Sequence, residues 1–166
     1  MGEEQKSRSR TFSWEDPAEM VRVGKTLSGL AYLQAMQRGE VPPPPIATLM
    51  GMEVKEVSEG RVVFSLQPQE YHYNPLGTVH GGVAATLLDS AMGCTVQSVL
   101  RVGQWYTTLE IKVNYLRPLI ENTGTVYCEG KIIHLGGRTA TAEGRITDEA
   151  GKLYAHGTTT CIVLRP

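Results

Sequence analysis

A chain of 166 residues, 41% hydrophobic and 20% charged, has the composition of one globular domain and excludes a disordered or fibrous protein. Folding at this length removes roughly 70% of the unfolded chain's surface from water, enough for a single core. Sixteen Lys and Arg against seventeen Asp and Glu leave a net charge of −1, so neither nucleic acid nor a membrane surface is an expected partner.

Three cysteines, Cys94, Cys128 and Cys161, are too few and too widely spaced for a disulfide framework or a zinc site. That predicts a reducing compartment and no metal. Residues 1–16 are polar and lack the apolar run of a secretory signal, and the least charged stretch, 82–100, is too polar to span a bilayer. The expected localisation is cytoplasmic.

In chain order, Asp16-Pro17-Ala18-Glu19 reads as a helix start, with Asp16 as N-cap and Pro17 at the first helical position. Met20, Val23, Leu27, Leu30, Leu33 and Met36 continue at helical spacing, interrupted by Gly24 and Gly29, and Gly39 suits the C-cap. Pro42 to Pro45 predict a stiff, extended connector. Residues 1–45 thus form a helical arm, whose expected role is packing, ahead of a main domain at 46–166.

Strand signals follow at Val54–Val57 and Arg61–Leu66, split by the turn Ser58-Glu59-Gly60. A loop from Pro68 to Thr78 leads into a helical stretch from His80 to Leu100. In Thr108–Leu116, apolar Leu109, Ile111, Val113 and Tyr115 alternate with Thr108, Glu110, Lys112 and Asn114, which predicts a half-buried strand. Val126–His134 and Arg138–Thr147 meet through Leu135-Gly136-Gly137, a hairpin signal, and Asp148–Gly151 turns the chain into Leu153–Leu164. Two strands, one long helix and four strands in succession predict an α+β fold with an antiparallel meander.

The helix is apolar nearly all round, with Thr86, Ser90 and Gln97 as a narrow polar strip, so it is expected inside a sheet wrapped around it. Asp89 is its one charged residue and projects beside Ala85, Met92, Val96 and Leu100. A carboxylate there must be paired, neutralised or kept for chemistry. A structural, hydrogen-bonded aspartate is the equal alternative. Ahead of it, Gly81-Gly82 at the helix start leaves N–H groups free for an oxyanion, or simply makes a tight N-terminal turn.

Taken together, Asn74-x5-His80-Gly81-Gly82-x6-Asp89 and the run Thr107-Thr108-Leu109-Glu110-Ile111-Lys112-Val113-Asn114-Tyr115-x-x-Pro118 resemble the hotdog-fold acyl-CoA thioesterases, nearest the phenylacetate-pathway, PaaI-like branch. The resemblance covers roughly residues 46 to 164 and leaves the arm outside. It implies a curved antiparallel sheet around a central helix and homodimers with shared active sites, often assembled as homotetramers. It places Asp89 as the catalytic carboxylate, activating water or attacking directly, and Gly81 N–H as the group polarising the thioester carbonyl. Asn74 and His80 then flank that carbonyl, and Thr108 lies near the attacking water. Gly82, Gly137 and Arg138 join His80 as candidate substrate-binding residues. Arg101, Lys112 and Arg117 are further phosphate candidates, although solvated surface is the ordinary reading of any one such cation.

The chemistry suits these residues. A thioester carbon is already electrophilic, and the chain has no Gly-x-Ser-x-Gly elbow, so a base and an oxyanion donor suffice. No cofactor is called for beyond the coenzyme A of the substrate. Eight residues separate Gly81 from Asp89, about 12 Å along one helix, too far for both to reach one carbonyl. The expected site therefore lies across a dimer interface. The expected activity is hydrolysis of an aryl- or medium-chain acyl-CoA, with Tyr71, Tyr73, Leu76, Met92 and Tyr106 as pocket candidates. A hydratase or dehydratase using His80 with Asp89, and a non-catalytic acyl-CoA-binding module, are the competing readings.

Overall fold

The computed structural model describes residues 7–165; the polar start of the chain, Met1 to Lys6, and Pro166 lie outside the described residues. The arm holds two helices rather than one, α1 (Pro17–Gly24) and α2 (Gly29–Gln37). Asp16 does cap the first, its Oδ1 accepting the Ala18 N–H at 2.9 Å. Ser28 caps the second. The break falls where Gly29 donates its N–H to the Leu100 carbonyl at 3.0 Å, and a Cβ there would collide with the Gln97 carbonyl. Backbone thus meets backbone at the point where the arm docks.

The proline run is extended only as far as Pro44. Pro45 opens a further helix, α3 (Pro45–Met50), because proline's fixed φ suits the first helical position and costs no hydrogen bond there. Gly51 ends it at φ 69°. The remaining elements are β1 (Met52–Ser58), β2 (Arg61–Leu66), α4 (Gly81–Ser98), β3 (Trp105–Tyr115), β4 (Val126–Leu135), β5 (Thr139–Asp148) and β6 (Leu153–Leu164).

All six strands form one antiparallel sheet in the order β1-β2-β4-β5-β6-β3. The expected meander is corrected at one place: β3 pairs with β6, not with β4. Helix α4 crosses the sheet face and delivers β3 to the far edge, and the chain then returns to lay β4 beside β2. Buried Val83, Leu87, Leu88, Ala91, Met92 and Val96 of α4 pack into the sheet's concave side, and Leu33 of α2 joins the same core. This is the hotdog arrangement.

Close approach of helix and sheet depends on Gly130 of β4. A Cβ at that position would stand 2.6 Å from the Ala91 carbonyl and closer still to Thr95 Oγ1. Gly130→Ala is expected to destabilise the fold by about 1–3 kcal/mol through overpacking. Urea unfolding should show a lower midpoint at unchanged slope.

The strict alternation read along β3 also needs correction. The register slips between Thr108 and Glu110, so Leu109 is an extra, bulged residue. Beyond it the faces exchange: Leu109 is 59% exposed, while Thr108 shares the inner face with Ile111 and Val113. Without the bulge, Thr108 would point away from α4.

Candidate active site

His80 opens α4 and caps it, its Nδ1 accepting the Gly82 N–H at 2.8 Å, so the ring proton is on Nε2. Of the two glycine N–H groups expected to be free, Gly82's is therefore engaged. Gly81, at the first helical position, keeps an N–H without an acceptor among the described residues. It sits at the positive end of an 18-residue helix. The Tyr115 hydroxyl donates to the Gly81 carbonyl at 3.1 Å, which fixes the first turn of α4 against the end of β3.

Asn74 lies in the preceding loop and shapes it. Its Oδ1 accepts from Leu76 N–H at 2.9 Å and from Thr78 N–H at 3.3 Å, and its amide donates to Thr78 Oγ1 at 3.1 Å. Val79 N–H then bonds the Leu119 carbonyl and His80 N–H bonds the His72 carbonyl, both at 2.8 Å, carrying the loop into α4. His72 is structural. It is buried, with Nδ1 accepting from Gln69 N–H and Nε2 facing the Met50 carbonyl, and desolvation first of all holds its pKa below the ordinary value.

Asp89 is half-buried in the middle of α4. Its neighbours differ from those expected, since Met92 and Val96 are fully in the core and the carboxylate follows the polar strip instead. The Thr108 hydroxyl donates to Asp89 Oδ1 at 2.9 Å. Among the described residues, no cation forms an ion pair with Asp89, and Oδ2 has no partner. A carboxylate anchored through one oxygen and open at the other can take a proton or attack.

Asp89 opens on a cavity of about 480 Å³, whose wall includes Ser90, Cys94, Phe64 and Tyr106. The Ser90 and Tyr106 hydroxyls have no hydrogen-bond partner among the described residues. Burial pushes the Cys94 thiol up to about 12, so it stays protonated and is no nucleophile. Burial also raises the Tyr106 phenol well above its ordinary value. Its ring packs against Gly93, where any Cβ would meet it at under 3 Å.

Gly81 belongs to a different cavity, of about 330 Å³, lined with Tyr115, Arg117 and Tyr154. The unbroken helix keeps the two groups about 12 Å apart along its axis. His80 and Gly82 border a third groove with Phe12, Tyr71 and Tyr73. Gly137 and Arg138 sit in the β4–β5 hairpin, their carbonyls accepting from Arg165 and from Val163 N–H, and neither lines the Asp89 or the Gly81 cavity.

Of the pocket candidates read from the sequence, only Tyr106 faces Asp89. Met92 is core, and Leu76 is 86% exposed. Cys94, partly buried against the core, also stands in the cavity wall. The i, i+4 pair Ser90 and Cys94 was the available signal for that wall, because small residues at this spacing line one strip of a helix. Met36, Pro43 and Pro44 of the arm and connector, with Ile46 of α3 just beyond them, complete the lining and carried no such signal.

Comparison with known proteins agrees with this fold. The thioesterase superfamily model matches residues 76–155. The chain is 32% identical over 104 residues to the 1,4-dihydroxy-2-naphthoyl-CoA hydrolase of Listeria monocytogenes, covering 63% of this chain and 83% of that protein. A phenylacetic acid degradation-related protein of Ralstonia eutropha JMP134 superposes with a TM-score of 0.72 at 28% identity, over 79% of this chain and 98% of that one. The E. coli PaaI protein shares the fold, with a TM-score of 0.71 at 21% identity over 84% and 96% of the two chains. With the motif at the head of α4, the Asp89–Thr108 pair and the wrapped sheet in place, the chain belongs to the thioesterase superfamily as a PaaI-like hotdog thioester hydrolase.

Proposed function

We propose that the protein hydrolyses an aryl- or medium-chain acyl-CoA to the free acid and coenzyme A, at a site built by two subunits. The observation that carries this reading is the separation of Gly81 and Asp89 into two cavities on one continuous helix. Both groups nevertheless touch the same edge strand: Thr108 of β3 bonds Asp89, and Tyr115 of β3 bonds Gly81. On its outer side β3 is an edge eleven residues long, unpaired among the described residues and a template for another strand. Antiparallel pairing of two β3 edges about a two-fold axis at Lys112, with the bulged Leu109 left out of the ladder, sets Thr108 across from the partner's Tyr115. Asp89 then faces the partner's Gly81, and each dimer holds two such sites.

In each site Asp89 Oδ2 takes a proton from water while the oxygen of that water attacks the thioester carbon. The Thr108 hydroxyl holds Oδ1 and so aims the carboxylate. The partner's Gly81 N–H, with the α4 dipole behind it, takes the charge developing on the carbonyl oxygen. Collapse of the tetrahedral intermediate breaks the C–S bond, and the proton held by Asp89 leaves with the thiolate as coenzyme A thiol. Support for an acyl-CoA substrate comes from the cavity beside Asp89, whose volume suits an acyl group, and from the coenzyme A thioester that the Listeria relative is named for.

Incubation with acyl-CoA and a thiol reagent tests the activity. Hydrolysis releases one free thiol per turnover. A hydratase consumes or forms a double bond and releases none, and a binding module releases none either. The His80 cap speaks against the hydratase, since Nδ1 accepts the Gly82 N–H and Nε2 then carries the ring proton, which leaves no free lone pair to take a proton from substrate.

Thr108→Ala is expected to lower kcat by roughly tenfold to a hundredfold, the cost of one hydrogen bond to a charged group, and Thr108→Ser to restore most of it. Steady-state kinetics on the best acyl-CoA checks this. An unchanged kcat in Thr108→Ala would remove the threonine from the site.

A further inference from the structure

The N-terminal arm and its connector carry none of the motif residues, yet they do not merely cover the sheet. They leave a space between themselves and α4, and that space is the cavity onto which Asp89 opens. Met36 at the end of α2, Pro43 and Pro44 of the connector and Ile46 of α3 form the wall that α4, β3 and the β1–β2 hairpin do not supply.

This wall is fixed. Leu33 of α2 is 1% exposed in the common core, and the Gln37 amide donates to the Lys55 carbonyl of β1 at 2.7 Å. The Arg10 guanidinium bonds the Thr48 carbonyl at 3.0 Å and that of Leu49, tying the last turn of α3, and stacks 4.2 Å over the Tyr71 ring. Pro43 and Pro44 carry no N–H and have restricted φ, so they present a rigid apolar surface that neither bonds a polar substituent nor yields to a longer chain.

We infer that the connector and the first turn of α3 form the specificity element of the enzyme: the acyl group enters beside Asp89 and ends against Pro43, Pro44 and Ile46, which set the longest chain that binds. The inference rests on the acyl-CoA reading above. Within that reading it assigns the limit on acyl length to residues other than the proposed catalytic ones, so the two sets can be varied separately.

Ile46 is the residue to vary, because it is 45% exposed and its substitution leaves the core intact. Calorimetry of acetyl- to dodecanoyl-CoA, in the Asp89→Asn background to keep the thioesters whole, reads affinity against chain length. Affinity should rise about fourfold per methylene until the wall is reached and then stop rising. Ile46→Ala should move that break to longer chains and Ile46→Trp to shorter ones, with a change of about tenfold for the first chain beyond it. Val21→Ala, an exposed α1 change away from the cavity, should leave the break in place.

The same break in all of these proteins overturns the inference. Release of coenzyme A by the Asp89→Asn protein at the wild-type rate overturns the catalytic reading instead, and the chain-length break then decides the specificity element's role on its own. Failure to bind any acyl-CoA overturns both.

Discussion

Asp89→Asn should retain the fold and the assembly while losing between a hundredfold and ten-thousandfold in kcat, about 3–5 kcal/mol of barrier. The amide keeps the shape of the carboxylate and can still accept the Thr108 hydroxyl through its oxygen, so the one contact that positions the side chain survives. What disappears is the capacity of the second oxygen to take a proton. The substitution also removes a charge that no cation balances among the described residues, so no partner is left stranded. Thermal unfolding should therefore show a midpoint equal to or above that of the native protein. A fall in midpoint with kcat preserved would make Asp89 a structural residue.

Gly81→Pro should be nearly as inactive, and for a reason confined to one atom. Position 81 is the first of α4, where proline is favoured, and the preceding His80 already has the extended backbone that proline requires, at φ −60° and ψ 136°. The added Cβ meets the Tyr115 ring at 3.3 Å, and Tyr115 is exposed enough to give the few tenths of an ångström needed. The helix therefore forms, and only the N–H is lost. Removing an oxyanion donor of this kind costs about a hundredfold to a thousandfold in kcat. Gly81→Ala supplies the same Cβ and keeps the N–H, so it should retain most of the activity. Equal losses in the two variants would mean that crowding, rather than the donor, accounts for the effect.

Much of the fold was legible because the patterns are long. The all-round apolar helix with one aspartate, the two-residue punctuation at Gly81-Gly82 and the strand signals from Met52 onward all concern local choices that burial enforces. Two features were not legible. Nothing local announces that β3 leaves its sequence neighbour for the far edge, since that depends on where α4 sets the chain down. Nor does the alternation of β3 show that Leu109 is an extra residue; strict alternation puts Thr108 with Glu110 and Lys112 on the polar face. The Asp89–Thr108 pair depends on that bulge.

The site was legible in part for the same reason. Asp89 and Gly81 stand out by chemistry and spacing, whereas Asn74 holds a turn through three hydrogen bonds that no spacing reveals. The wall of the cavity was hidden most deeply. Pro43 and Pro44 read as a connector and Ile46 as the start of the main domain, and only the docking of α2 on the core brings them opposite Asp89.

The claim at the centre is that one carbonyl is held between two chains, and mixed dimers test it most directly. Asp89→Asn and Gly81→Pro subunits, each first shown to assemble like the native protein, are co-expressed with different affinity tags, and the doubly tagged species is purified. In such a dimer one site combines the intact Asp89 of one chain with the intact Gly81 of the other, and the second site combines both defects. Activity should return to about half the native value per dimer, from two parents that are each nearly dead. Mixed dimers no more active than the separate variants would contradict the shared site.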